Sequence, residues 1–226
     1  MQNVSFNAGA NDTTEQSPDE LLAVVSNDLT VKLVHEVVIS AFDPYVVSLS
    51  SFAPFGSKGT ELQMRATENL RDRLCGLGWE KSDIEQVPCV ISRPDGVRIA
   101  CTTDGGPSIG FDYPTKPVMR EKGNGTIRLA GHKGNETMPL PGFETYLQDD
   151  ELGKLDDLDF YYLLMHLDET RQEIRLELSM PVLDERGATL GWHDRIILPP
   201  ISISNEPPVD TKSVPAPDIE VVRKTS

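Results

Sequence analysis

The chain of 226 residues carries 36 acidic against 21 basic side chains, a formal net charge of -15 with an isoelectric point near 4.6. Phosphate binding needs clustered Lys and Arg that release counterions, so this balance argues against a broad nucleic-acid surface and free nucleic acid is not an expected partner. No apolar run is long enough to span a bilayer, and no basic start followed by an apolar core is present. A soluble, cytoplasmic protein without membrane association is the expectation, and three sparse cysteines suit a reducing compartment.

Residues 1–16 are rich in Asn, Ala, Gly, Thr and Gln with few apolar anchors, which predicts a disordered segment. Ser17-Pro18-Asp19-Glu20 is a helix start, with a hydroxyl cap, proline in the first turn and Glu three residues after the cap. Residues 29–41 fit either helix or strand, and their β-branched content favours a strand, with His35 as a structural residue within it. From Glu61 to Leu77, Ala66, Leu70, Leu74 and Leu77 share one side, which predicts an amphipathic helix closed by Gly76 and Gly78.

Val87 to Thr102 reads as a hairpin turning at Arg93-Pro94-Asp95-Gly96, with Arg93 facing Val97 and therefore Cys89 facing Cys101. In that register both thiols point into the core, in a geometry poor for a disulfide and without the ligands of a zinc site. Pro94-Asp95 matches the first half of a nuclease metal motif, but no acidic-x-Lys partner follows and turn chemistry accounts for both residues. Residues 103–147 are rich in Gly and Pro, with a hairpin expected from Pro117 to Leu129. Asp104-Gly105-Gly106 and Gly131-His132-Lys133-Gly134 are the stretches of this region able to bring main-chain amides, a carboxylate and an imidazole to a ligand.

The C-terminal third predicts a three-stranded antiparallel meander. Ile174, Leu176, Leu178 and Met180 alternate with Glu173, Arg175, Glu177 and Ser179, the period of a half-buried strand. A turn at Asp168 to Arg171 would place Leu167 opposite Gln172, Met165 opposite Ile174 and Leu163 opposite Leu176. A second turn at Asp184-Glu185-Arg186-Gly187 would pair Asp184 with Ala188 and Met180 with Trp192, leaving Asp194 as a misfit that a bulge would relieve. On the other face this register aligns Tyr162, Glu177 and Arg195, His166 with Glu173, and Ser179 with His193, as on a solvated sheet surface. Phe160, Tyr162 and Leu164 are too apolar for open water, so part of that face needs a cover, for which Gln148 to Asp157 could supply a short helix. From Asn205 the chain is Pro-rich, which predicts a flexible tail over residues 205–226.

The expected fold is therefore α+β over residues 17–204: a predominantly antiparallel sheet, built of the meander and the central hairpin, with two or three helices on one side. No nucleotide loop, metal spacing or nucleophile motif stands out, and no cofactor is expected. The favoured function is a non-catalytic acidic interaction or accessory protein whose partner is another protein and whose contacts involve a sheet face, with Tyr162, His166, Glu173 and Arg195 as candidate binding residues, and the tail. The alternative is a small metal-dependent hydrolase or nuclease assembled from Asp104, Asp112, His132, Glu177 and His193.

Overall fold

The structure is a computed structural model, and it describes residues 16–42, 50, 52–54, 56–112, 116–130 and 158–203. Its α+β architecture holds a six-stranded sheet: β1 Glu80–Ser82, β2 Cys89–Ser92, β3 Val97–Thr102, β4 Asp159–Asp168, β5 Glu173–Leu183 and β6 Thr189–Ser202, lying side by side in chain order. All neighbours are antiparallel except β3 and β4, so two three-stranded meanders meet at one parallel seam. A parallel pair requires a long crossover, and the connection between these two strands carries the short helix α4, Asn124–Ala130. All but the last residue of the predicted 1–16 segment, the predicted tail over 205–226 and the helix suggested over 148–157 lie outside the described residues.

Among the described residues, three helices cover one sheet face. Helix α1, Pro18–Val25, begins with the predicted capping box, Ser17 Oγ accepting from the Glu20 amide and the Glu20 carboxylate from the Ser17 amide. Residues 29–41, which fit either helix or strand with strand favoured, instead hold helix α2, Val31–Ala41. Thr30 caps it by accepting from the Leu33 amide, and Val34, Val37, Val38 and Ala41 lie buried at helical spacing. That stripe against the sheet outweighs the few tenths of a kcal/mol per residue by which β-branched side chains disfavour a helix. Helix α3, Ser57–Cys75, starts one turn earlier than predicted and ends at Gly76. Its stripe is Leu62, Ala66, Leu70 and Leu74; Leu77 lies beyond the helix and is 55% exposed. These helices pack on Val90, Ile99, Cys101, Leu163, Met165, Leu176, Leu178 and Leu198 in one continuous apolar layer.

The opposite face is also covered, so it is not the solvated surface that the alternation suggested. Cys89, Ile91, Ala100, Phe160, Tyr162 and Leu164 are buried there beneath Ile109, Met119, Leu129 and Ala130. The expected hairpin over 117–129 is absent: residues 116–123 run as an irregular strap into α4. The α-carbon of Gly125 abuts the Glu85 backbone and that of Gly187 abuts Lys122, so a side chain at either position would push the strap away.

Register explains the remaining differences. In the central hairpin Ser92 pairs with Val97 and Cys89 with Ala100, one residue away from the predicted alignment. That slip puts Cys89 on the strap face and Cys101 on the helical face, both as buried free thiols. Burial pushes the Cys101 thiol up to about 12. Both faces of these strands are covered, so hydrophobicity places no constraint on which way the pattern turns. Asp95, half of the nuclease-like dipeptide, instead ties the turn to α1 by accepting from Ser26 Oγ at 2.8 Å and Ser92 Oγ at 2.6 Å.

Between β4 and β5 the alignment moves by two residues: Leu167 faces Ile174, Met165 faces Leu176 and Leu163 faces Leu178. An even shift preserves the faces, so apolar still meets apolar. The second turn closes as expected, Asp184 N–H bonding Ala188 O at 3.0 Å. The β5–β6 ladder then jumps between Ser179–Arg195 and Pro181–Trp192, a bulge at His193-Asp194 that accounts for the Asp194 misfit. The bulge turns Trp192 away from Met180, and its indole N–H donates to Pro117 O on the strap at 2.9 Å.

Candidate functional site

The most chemically dense part of the described structure lies where the loop after β3 settles on β4 and β5. Close approach is possible because of two glycines. A Cβ on Gly105 would lie 2.9 to 3.1 Å from Ile109 and Leu164, and Gly110, at φ +72°, would bring one to 2.9 Å from the Arg175 Cβ. Ile109 is thereby driven into the apolar cover, and the Gly110 amide points at the sheet.

Beneath that amide lies Glu177, completely buried. Its carboxylate accepts from Arg195 Nη2 at 2.6 Å and Nε at 3.2 Å, from the Gly110 amide at 2.9 Å and from Ser179 Oγ at 3.0 Å. Arg195 Nη2 also donates to Phe111 O at 2.9 Å. Burying an ion pair costs several kcal/mol per charge and is tolerated only where further hydrogen bonds fill the remaining positions, which these four donors do. A carboxylate so occupied cannot ligate a metal or take a substrate proton without giving up a partner that holds the loop.

Next to this pair the Phe111 ring sits under two guanidinium groups, that of Arg175 at 4.0 Å and that of Arg171 at 5.0 Å. Arg175 Nη2 reaches Asp168 at 3.4 Å. The main-chain amide of Arg171, with Arg175 and the Thr170 amide, holds the Asp168 carboxyl below the usual range. His166 is half-buried on the same strand; burial, then the Arg175 charge, lower its pKa from the usual 6.5. Here the surface dips into an open depression of about 480 Å³ lined by Pro107 and residues 166–171.

The sequence candidates fall in separate places. Tyr162 is buried opposite Ser179, its pKa pushed up to about 12 by burial. His166 faces Arg175, while Glu173 faces Asp168 and lies 3.9 Å from Arg171, so the expected His166–Glu173 pair is absent. Arg195 does meet Glu177, on a diagonal, since its direct partner is Ser179, the residue predicted for His193. His193 is exposed on the bulge, and Asp112 is exposed at the end of the loop. Asp104 accepts from Lys122 Nζ at 2.6 Å, the Arg120 amide at 3.2 Å and Arg120 Nε at 3.4 Å, which fastens the strap. His132 lies outside the described residues. Among the described residues no three of His, Cys, Asp and Glu come together as metal ligands would.

Nothing in the sequence pattern marks Gly110, Phe111, Arg175 and Ser179 as site residues directly. The signal available was the Gly-rich run itself, together with charged Arg175 and Glu177 on a strand whose neighbour, β4, is apolar on both sides. Comparison with known protein families, with curated proteins and with solved structures returns no match. No helix among the described residues is long and apolar enough to cross a membrane.

Proposed function

We propose that this protein is a non-catalytic acidic interaction or accessory protein that works through contacts with another protein. The observation that supports this reading is the internal use of its most site-like carboxylate: Glu177 is engaged by Arg195, Gly110 and Ser179, and so holds a loop in place. Asp104 plays the same part for the strap through Lys122 and Arg120. Apolar layers cover most of both sheet faces, so contact with a partner falls to the open depression beside His166 and residues 167–171, the sheet edges and the outer helix surfaces. The net charge of -15 suits a basic partner and salt-sensitive association.

Thermal melting with Mg²⁺, Mn²⁺ and Zn²⁺ added singly tests this against the hydrolase alternative. A ligand at a hundredfold its Kd stabilises the folded state by about 2.7 kcal/mol, so a real metal site raises the melting temperature measurably. No shift with any metal, together with partners captured from native lysate at low salt and released at high salt, is the expected outcome. A metal-dependent rise accompanied by hydrolytic activity would replace this reading with the alternative.

A further inference from the structure

Building on that interaction reading, we infer that the N-terminal ten residues of β6, Thr189–Leu198, form a docking edge on which an extended, basic segment of a partner protein adds as a seventh strand. Strand β6 is last in the sheet and, among the described residues, pairs with β5 alone, so a row of main-chain N–H and C=O groups faces outward. The other edge, β1, spans only three residues.

The two ends of β6 are treated differently. Toward its C-terminus Pro199 and Pro200 remove two donors, and His35 Nε2 sits 2.9 Å from the Pro199 carbonyl, so that stretch is closed to a further strand. Residues 189–198 contain no proline, and Leu190 is 69% exposed there, an apolar contact for an alternating partner side chain. The bulge at His193-Asp194 bends this stretch and restricts pairing to a segment of matching register.

Charge selects the partner. Asp194 on the strand, Glu185 in the turn before it, and Asp19 and Glu20 on α1, which packs against β6, are all exposed. Arg186 is the exposed cation of that turn. An extended segment alternating Lys or Arg with Val or Ile would match the main-chain ladder, the apolar Leu190 and the acidic margin together.

The test uses the full chain and two synthetic peptides, one alternating Lys with Val and the other Glu with Val, followed by amide hydrogen exchange and by titration. The Lys-Val peptide is expected to slow exchange selectively within residues 189–198, and a double variant Glu185→Lys, Asp194→Lys to bind it at least about fivefold more weakly with an unchanged melting temperature. Protection elsewhere, equal binding of the Glu-Val peptide, or outward amides of 189–198 already protected in the chain alone would each overturn the docking edge. Lysate capture separates this from the broader reading. Partners retained by the double variant defeat the edge alone, whereas a metal-dependent activity defeats the interaction role itself.

Discussion

The two faces of the sheet are covered by different means, and the difference shows what each kind of cover demands of the strands beneath. Helices α1 to α3 satisfy their own main chain, so the strands need offer them only apolar side chains such as Ile99, Leu163 and Leu176. The strap and loop on the other face have irregular main chain whose polar groups must find partners. The structure supplies those partners from side chains: Glu177 for the Gly110 amide, Arg195 for Phe111 O, Trp192 for Pro117 O and Asp104 for the Arg120 amide. Buried charge on this face is therefore the counterpart of irregular backbone, and it resembles an active site because both use preorganised polar groups away from water.

That contrast can be broken most forcefully at the buried ion pair. Glu177→Gln is expected to cost about 3–5 kcal/mol in urea unfolding, since it strands the Arg195 charge. The double variant Glu177→Met, Arg195→Met should recover part of the loss but not all, because the Gly110 amide and Phe111 carbonyl lose their partners. Full recovery would show that the loop main chain does not depend on this pair.

On the helical face the largest single effects are those of cavities. Leu70→Ala should cost about 2–5 kcal/mol, with no rescue by any polar change nearby. A smaller effect, about 1–3 kcal/mol, is expected for Gly110→Ala, which combines a positive φ with a Cβ crowded against Arg175. Hydrogen exchange should localise that loss to the loop and strap, and a change spread evenly through α1 to α3 would count against the separation of the two covers.

The mildest effect concerns pH. The pKa of His166 is lowered in the folded state by burial and by Arg175, so the unfolded chain takes up a proton first as pH falls through the ordinary value of 6.5. Its contribution is fully present above that value and declines below it, and His166→Gln should flatten the slope of stability against pH in that window. The lowered Asp168 pKa acts in a more acidic range, its stabilisation present above the ordinary value of 3.8 and lost as pH falls through the folded one.

Local chemistry was legible where a short stretch settles its own conformation. The Ser17–Glu20 capping box, the helix end at Gly76 and the turn at Asp184–Gly187 all follow from residues within one turn of each other. The bulge at Asp194 was visible as a charge out of phase with its strand. The two-residue offset at the β4–β5 turn was not legible, because an even shift leaves the hydrophobic faces intact and alternation is blind to it. In α2, β-branched residues pointed to a strand while their buried positions follow a helical stripe, and packing against the sheet prevailed.

The site was harder to read than the elements. Strand alternation puts Glu177 and Arg195 on one side of the meander, yet their role depends on Gly110 and Phe111, more than sixty residues away in the chain. Residue order thus established the elements, the antiparallel meander and the acidic character, since these arise from side-chain period and charge that neighbouring residues set among themselves. Which polar residues are buried, which thiol faces which layer and which strand lies last in the described sheet were decided in three dimensions, because they depend on what a distant segment brings to lie against each strand.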